Sequence, residues 1–108
     1  MTFAVLGWQD AHVYADAFAK ELASKGFPTI VYKKNEHRYH PCVQISLGRW
    51  SLIETTEYIY VAPDEDSGVW WFWWSSLEPI APAKEVSAAA AKVARVLAAI
   101  PDAGVRML

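Results

Sequence analysis

The sequence predicts an α+β fold: a helix, a four-stranded antiparallel meander sheet and a second helix, packed as a two-layer sandwich. Three observations carry this expectation. Apolar residues recur with helical spacing near the start and near the end of the chain, and between them the period changes to two. The alternating runs are separated by connections short enough for consecutive strands to be antiparallel neighbours. One helix precedes the whole sheet and the other follows it, so both can cover the same face.

The first helix is expected over residues 10–25. Tyr14, Phe18 and Leu22 fall at i, i+4 and i+8, with Ala11, Ala15 and Ala17 around them. Asp10 has the chemistry of an N-cap, and Gly26 followed by Pro28 that of a C-terminal stop. Residues 2–6 fit either a short strand or an extension of this helix.

Strands follow at residues 29–34, 42–47, 58–62 and 69–74, rich in β-branched and aromatic side chains. Asn35, Glu36 and His37 have turn composition, residues 48–56 read as irregular, and the acidic stretch 63–68 reads as a hairpin loop. The last helix is expected over residues 82–100, with Pro82 in its first turn. Val86, Ala90, Val93, Leu97 and Ile100 form its buried stripe, Lys84, Lys92 and Arg95 lie opposite, and Pro101 ends it. The alanine run 88–91 lets the helix approach the sheet closely.

With 108 residues, 54% hydrophobic and 20% charged, the chain reads as a single α+β domain over residues 1–108 with a core that needs neither disulfide nor metal. Its net charge of −2 provides no positive field for a polyanion, so nucleic acid is an unlikely partner. Lys33, Lys34, Arg38 and Arg49 form a modest basic cluster, which the acidic loop opposes. Cys42 is the sole cysteine, which excludes an intramolecular disulfide and a multi-cysteine zinc site and fits a reducing compartment. The first residues lack the features of a signal peptide, and no apolar run reaches the length of a membrane span. A cytoplasmic protein with no membrane association is expected.

The densest information lies in VWWFWW at residues 69–74, which holds four of the six tryptophans. Strand alternation sends Val69, Trp71 and Trp73 to one face and Trp70, Phe72 and Trp74 to the other. The preceding strand divides the same way, with Ile59 and Val61 on one side and Tyr58 and Tyr60 on the other. If the acidic loop sets Val61 opposite Trp70 and Ile59 opposite Phe72, these join Val43, Ile45 and Leu47 beneath the helices. Tyr58, Tyr60, Trp71 and Trp73 are then left on the second face beside Gln44 and Ser46. A two-layer monomer has nothing to cover that face, and soluble monomers seldom leave such a patch in water. A second copy, a partner protein or a flat ligand would cover it, as would folding of the 48–56 segment, with Trp50, over it.

Catalytic signals are sparse. His37, Arg38, Tyr39, His40, Pro41 and Cys42 are the only cluster of potential ligands or nucleophiles. Two imidazoles and a thiol can hold zinc if a fourth ligand or water joins them, and a thiol beside an imidazole can be a nucleophile if activated. A polar turn with a small packed cysteine explains the same residues. Asp64, Glu65 and Asp66 are too tightly spaced for a calcium loop of the recognised type. Glu54, Glu57 and Glu78 form no pair that the sequence places together. No dinucleotide fingerprint, phosphate-binding loop or nucleophile elbow occurs. The balance is against an enzyme, and no cofactor is expected.

Residues 41–43, the run EYIYVAPDEDSGVWWFWW at 57–74 and residues 77–82 together give the chain a texture that resembles short uncharacterised proteins of actinobacteria. The likeness covers the last two thirds and implies a bacterial cytoplasmic accessory protein, without an activity or site residues. The order of helix, strands and helix is also similar to secretion-chaperone-like dimers, an analogy of architecture. The sequence thus leads to a small non-enzymatic interaction or accessory module that forms a homodimer, or binds another protein, through Tyr58, Tyr60, Trp71 and Trp73. The alternative is a small-ligand or metal site, possibly enzymatic, between the aromatic face and the 37–42 loop.

Overall fold

A computed structural model describes residues 3–33, 40–50 and 53–99, with side chains except those of residues 3–10, 48–50, 53–55 and 99. The element order is α1 (Phe3–Ser24), β1 (Thr29–Tyr32), β2 (Cys42–Trp50), β3 (Ile53–Pro63), β4 (Trp70–Trp74), β5 (Pro79–Pro82) and α2 (Val86–Ala99). The strands form one antiparallel sheet in sequence order, β1-β2-β3-β4-β5. The α+β class and the helix–meander–helix order are as expected, with one more strand.

α1 begins at Phe3, so residues 3–6 extend the helix and Asp10 lies inside it rather than at its N-cap. Its C-terminus closes where expected. Gly26 adopts φ +96°, its N–H donates to Ala23 O at 3.0 Å, and Phe27 N–H donates to Leu22 O at 3.1 Å. These two bonds satisfy carbonyls of the last turn, and the positive φ is one that glycine reaches without a Cβ penalty.

The extra strand is β5, whose Pro79 and Pro82 argued against a strand in the sequence. Each proline removes an N–H, which an edge strand tolerates. Trp71 pairs with Pro82, Phe72 with Ala81 and Trp73 with Pro79, with an irregularity between Phe72 and Trp73. Pro82 therefore ends a strand, and α2 starts at Val86. Ile100 and Pro101, expected at the helix end, lie outside the described residues.

The segment expected to be irregular is instead mostly ladder. β2 and β3 pair as far as Trp50 with Ile53, across a register shift between Ser46 and Gly48. β1 stops pairing at Ile45 and β4 at Ile59, so the distal part of this hairpin is a two-stranded arm. It contributes to a longest dimension of 55 Å against 28 and 24 Å for the others.

The core forms between the helices and one face of the sheet. Ala11, Ala15, Phe18 and Leu22 of α1, with Ala90, Val93 and Leu97 of α2, pack in one cluster with Val43, Ile45, Ile59, Val61 and Phe72. Phe18 stacks on Phe72 with ring centroids 4.6 Å apart. Tyr14, Leu47, Trp70, Trp74 and Val86 pack around this cluster half-buried. Lys84, Lys92 and Arg95 are exposed, as expected, and Lys92 Nζ donates to Ile80 O at 3.2 Å. Ser87 Oγ donates to Glu21 Oε2 at 2.7 Å, tying the start of α2 to α1.

Candidate functional site: the aromatic sheet face

The β3–β4 register differs from the expected one by two residues: Val61 pairs with Phe72 and Ile59 with Trp74. The hairpin pairs further toward its turn than the composition of residues 63–68 implies. Pro63 pairs with Trp70, and Asp64 N–H donates to Val69 O at 2.7 Å. A slip of two preserves side-chain parity, so every residue stays on its expected face. Val69 falls outside β4 and is exposed.

The second face consists of cross-strand rows. Tyr32, Cys42, Tyr60 and Trp73 form one, Ile30, Gln44 and Tyr58 a second, and Ala62, Trp71 and Pro82 a third. All four expected residues, Tyr58, Tyr60, Trp71 and Trp73, share this face and are half-buried. No described helix lies over it, since the helices pack on the opposite face. Strict alternation in β3 and β4 placed these four. Ile30 and Tyr32 join them from β1, and the signal that would have found them is the same alternation against Val31, which packs on the core.

Several polar atoms of this face are already engaged. Trp73 Nε1 donates to Ala62 O at 2.9 Å, and Tyr32 Oη donates to Gln44 Oε1 at 3.1 Å. Cys42, between Tyr32 and Tyr60 in its row, is only 1% exposed. Ile30 is 51% exposed at the β1 end. Among the described positions of the face there is no Asp, Glu, Lys, Arg or His, although a fifth of the chain is charged.

Of the 37–42 cluster, His37, Arg38 and Tyr39 lie outside the described residues, as does Lys34 of the basic cluster. The side chains of Arg49 and Trp50 are also outside them, so folding of that segment over the face is not described. His40 sits half-buried against Trp70, ring centroids 5.8 Å apart at 79°, while Cys42 is enclosed in the sheet. Among the described residues no group of three or more His, Cys, Asp or Glu side chains is placed to hold a metal ion. No described helix is long and apolar enough to cross a membrane. Glu57 accepts from Tyr58 N–H at 3.0 Å and Ser75 Oγ at 2.9 Å, a structural use of that carboxylate.

Compared with known proteins, the chain matches no protein-family model, no curated protein and no solved structure. Function is therefore argued from the face itself.

Proposed function

We propose that the protein is a small interaction module that pairs with a second copy of itself through the aromatic sheet face. One observation carries this reading: the face left bare by both helices is aromatic and free of charged side chains. In a twofold pairing the same patch meets itself, so a charge on it would face its own like or be buried unpaired, at a cost of several kcal/mol. Tyr and Trp supply large contact area with little side-chain entropy to lose, and two of these rings are already held by hydrogen bonds. The alternative occupant, a different protein, would use the same anchors.

Sedimentation velocity and light scattering test this directly. A dimer is expected at micromolar concentration, and Trp71→Ser is expected to shift it toward monomer with the thermal unfolding transition retained. A monomer throughout that range overturns self-pairing. Loss of folding in Trp71→Ser, checked against the milder Tyr58→Ser, makes these residues core rather than contact.

A further inference from the structure

We propose that the concavity between the aromatic face and the β3–β4 turn is a subsite for an organic cation, a guanidinium or alkylammonium group on an aliphatic stem. The cavity has a volume of about 470 Å³, and its lining includes Tyr60 and Trp73 from the sheet, Asp64, Glu65 and Asp66 from the turn, and Leu77. That volume lies within the range of small-ligand pockets. It is an open groove and not merely an acidic loop, because the carboxylates stand across from an aromatic wall.

The chemistry of the walls selects the ligand. Trp73 spends its one donor on Ala62 O, so toward a ligand it offers only its π surface, which attracts cations. The turn that carries Glu65 and Asp66 is held by Asp64, whose Oδ2 accepts from Ser67 N–H at 3.1 Å and Ser67 Oγ at 2.9 Å. Both Glu65 and Asp66 are exposed, and no Lys or Arg is among the residues lining the groove. An anion would be repelled here, and a neutral ligand would desolvate carboxylates without compensation.

Leu77 supplies an independent observation. It holds φ +75°, a conformation costly for a residue with a γ-branched side chain, and its side chain is 74% exposed. Folding gains little from an exposed leucine held in that conformation, whereas an aliphatic stem entering the groove would have an apolar surface to lie against. The groove shares Tyr60 and Trp73 with the proposed pairing face, but the chemistry of its walls stands in the single chain.

The test is titration of the full chain with Nα-acetylarginine amide, followed by calorimetry and by the indole N–H resonances in 15N–1H spectra, with Trp73→Phe assigning the Trp73 signal. Saturable binding at about millimolar affinity is expected, together with a shift of that signal. Nα-acetylcitrulline amide, the neutral isostere, is expected to bind at least about tenfold more weakly. The double variant Glu65→Gln/Asp66→Asn, altered only at exposed positions, is expected to lose the arginine preference, and added salt to weaken binding. Agmatine separates the sources: equal binding assigns the site to a free amine, weaker binding to an arginine side chain of a peptide. Equal affinity for the citrulline compound, an unaffected double variant, or absence of saturable binding overturns the proposal. Sedimentation of the same samples reads the self-pairing separately.

Discussion

The indole N–H of Trp73 is bonded to the backbone carbonyl of Ala62, 2.9 Å away on the neighbouring strand. A side chain that sequence alternation places on an uncovered face is thereby held to the sheet that carries it. The bond fixes the ring without covering it, and fixed rings lose less entropy when a partner arrives.

The first prediction concerns that bond. Trp73→Phe keeps an aromatic ring on the face and deletes the donor, so stability is expected to fall by about 1 kcal/mol, the usual net worth of one hydrogen bond. Denaturant titration measures it, with the slope of the transition unchanged. A loss above about 3 kcal/mol would mean that Trp73 is packed as a core residue.

Phe72 occupies the same strand with the opposite orientation, fully buried and stacked on Phe18. Phe72→Ala is expected to cost about 3–5 kcal/mol through lost burial and the cavity left behind. That is a large fraction of the stability of an ordinary small domain, so the cooperative thermal transition should drop steeply or vanish. The contrast with Trp71→Ser, one position away on the other face, is the informative part: similar destabilisation by both would remove the distinction between a core face and a contact face.

The division of faces was legible in the sequence because it depends on parity alone. Val61, Ile59 and Phe72 remain on the core side whether the hairpin closes one way or two residues further on, so an incorrect register still placed Tyr58, Tyr60, Trp71 and Trp73 together. The helical stripes through Phe18, Leu22 and Val93 were equally plain, because their spacing is set by the helix itself. β5 was hidden by prolines whose missing donors matter only if the strand is central, and its edge position is a tertiary fact. The start of α1 was misplaced because Asp10 has capping chemistry in isolation, whereas a polar residue within a continuing helix is equally allowed. The groove at Asp64 and Trp73 could not be read from the sequence, since it depends on how far the β3–β4 hairpin pairs.

Gly26 offers a test of local backbone strain separate from packing. Its φ of +96° is unfavourable for any residue with a Cβ, yet nothing lies within 4 Å of where that atom would stand. Gly26→Ala is therefore expected to cost about 1–2 kcal/mol from conformation alone, and Gly26→Asn less, because asparagine tolerates the left-handed region. Thermal denaturation of the two variants checks the order. Equal stability of Gly26→Ala and the parent would show that α1 ends differently in solution.

The last prediction separates the arm from the sheet it extends. Residues 42–45 of β2 are flanked by β1, and residues 59–63 of β3 by β4, so their ladder is shielded by a neighbour on each side. Residues 46–50 and 53–58 pair only with one another, and a two-stranded ribbon is marginal in water without further support. Opening the arm breaks fewer contacts than opening the sheet, and local opening governs amide exchange. Hydrogen exchange followed residue by residue is expected to show the arm amides exchanging well ahead of those at Val43, Ile59 and Val61, whose protection should approach that of global unfolding. The comparison should be repeated at rising protein concentration. Protection that grows in the arm alone would move the site of self-pairing from the aromatic face to the ribbon, whereas protection growing along Tyr58, Tyr60 and Trp73 agrees with pairing through the face.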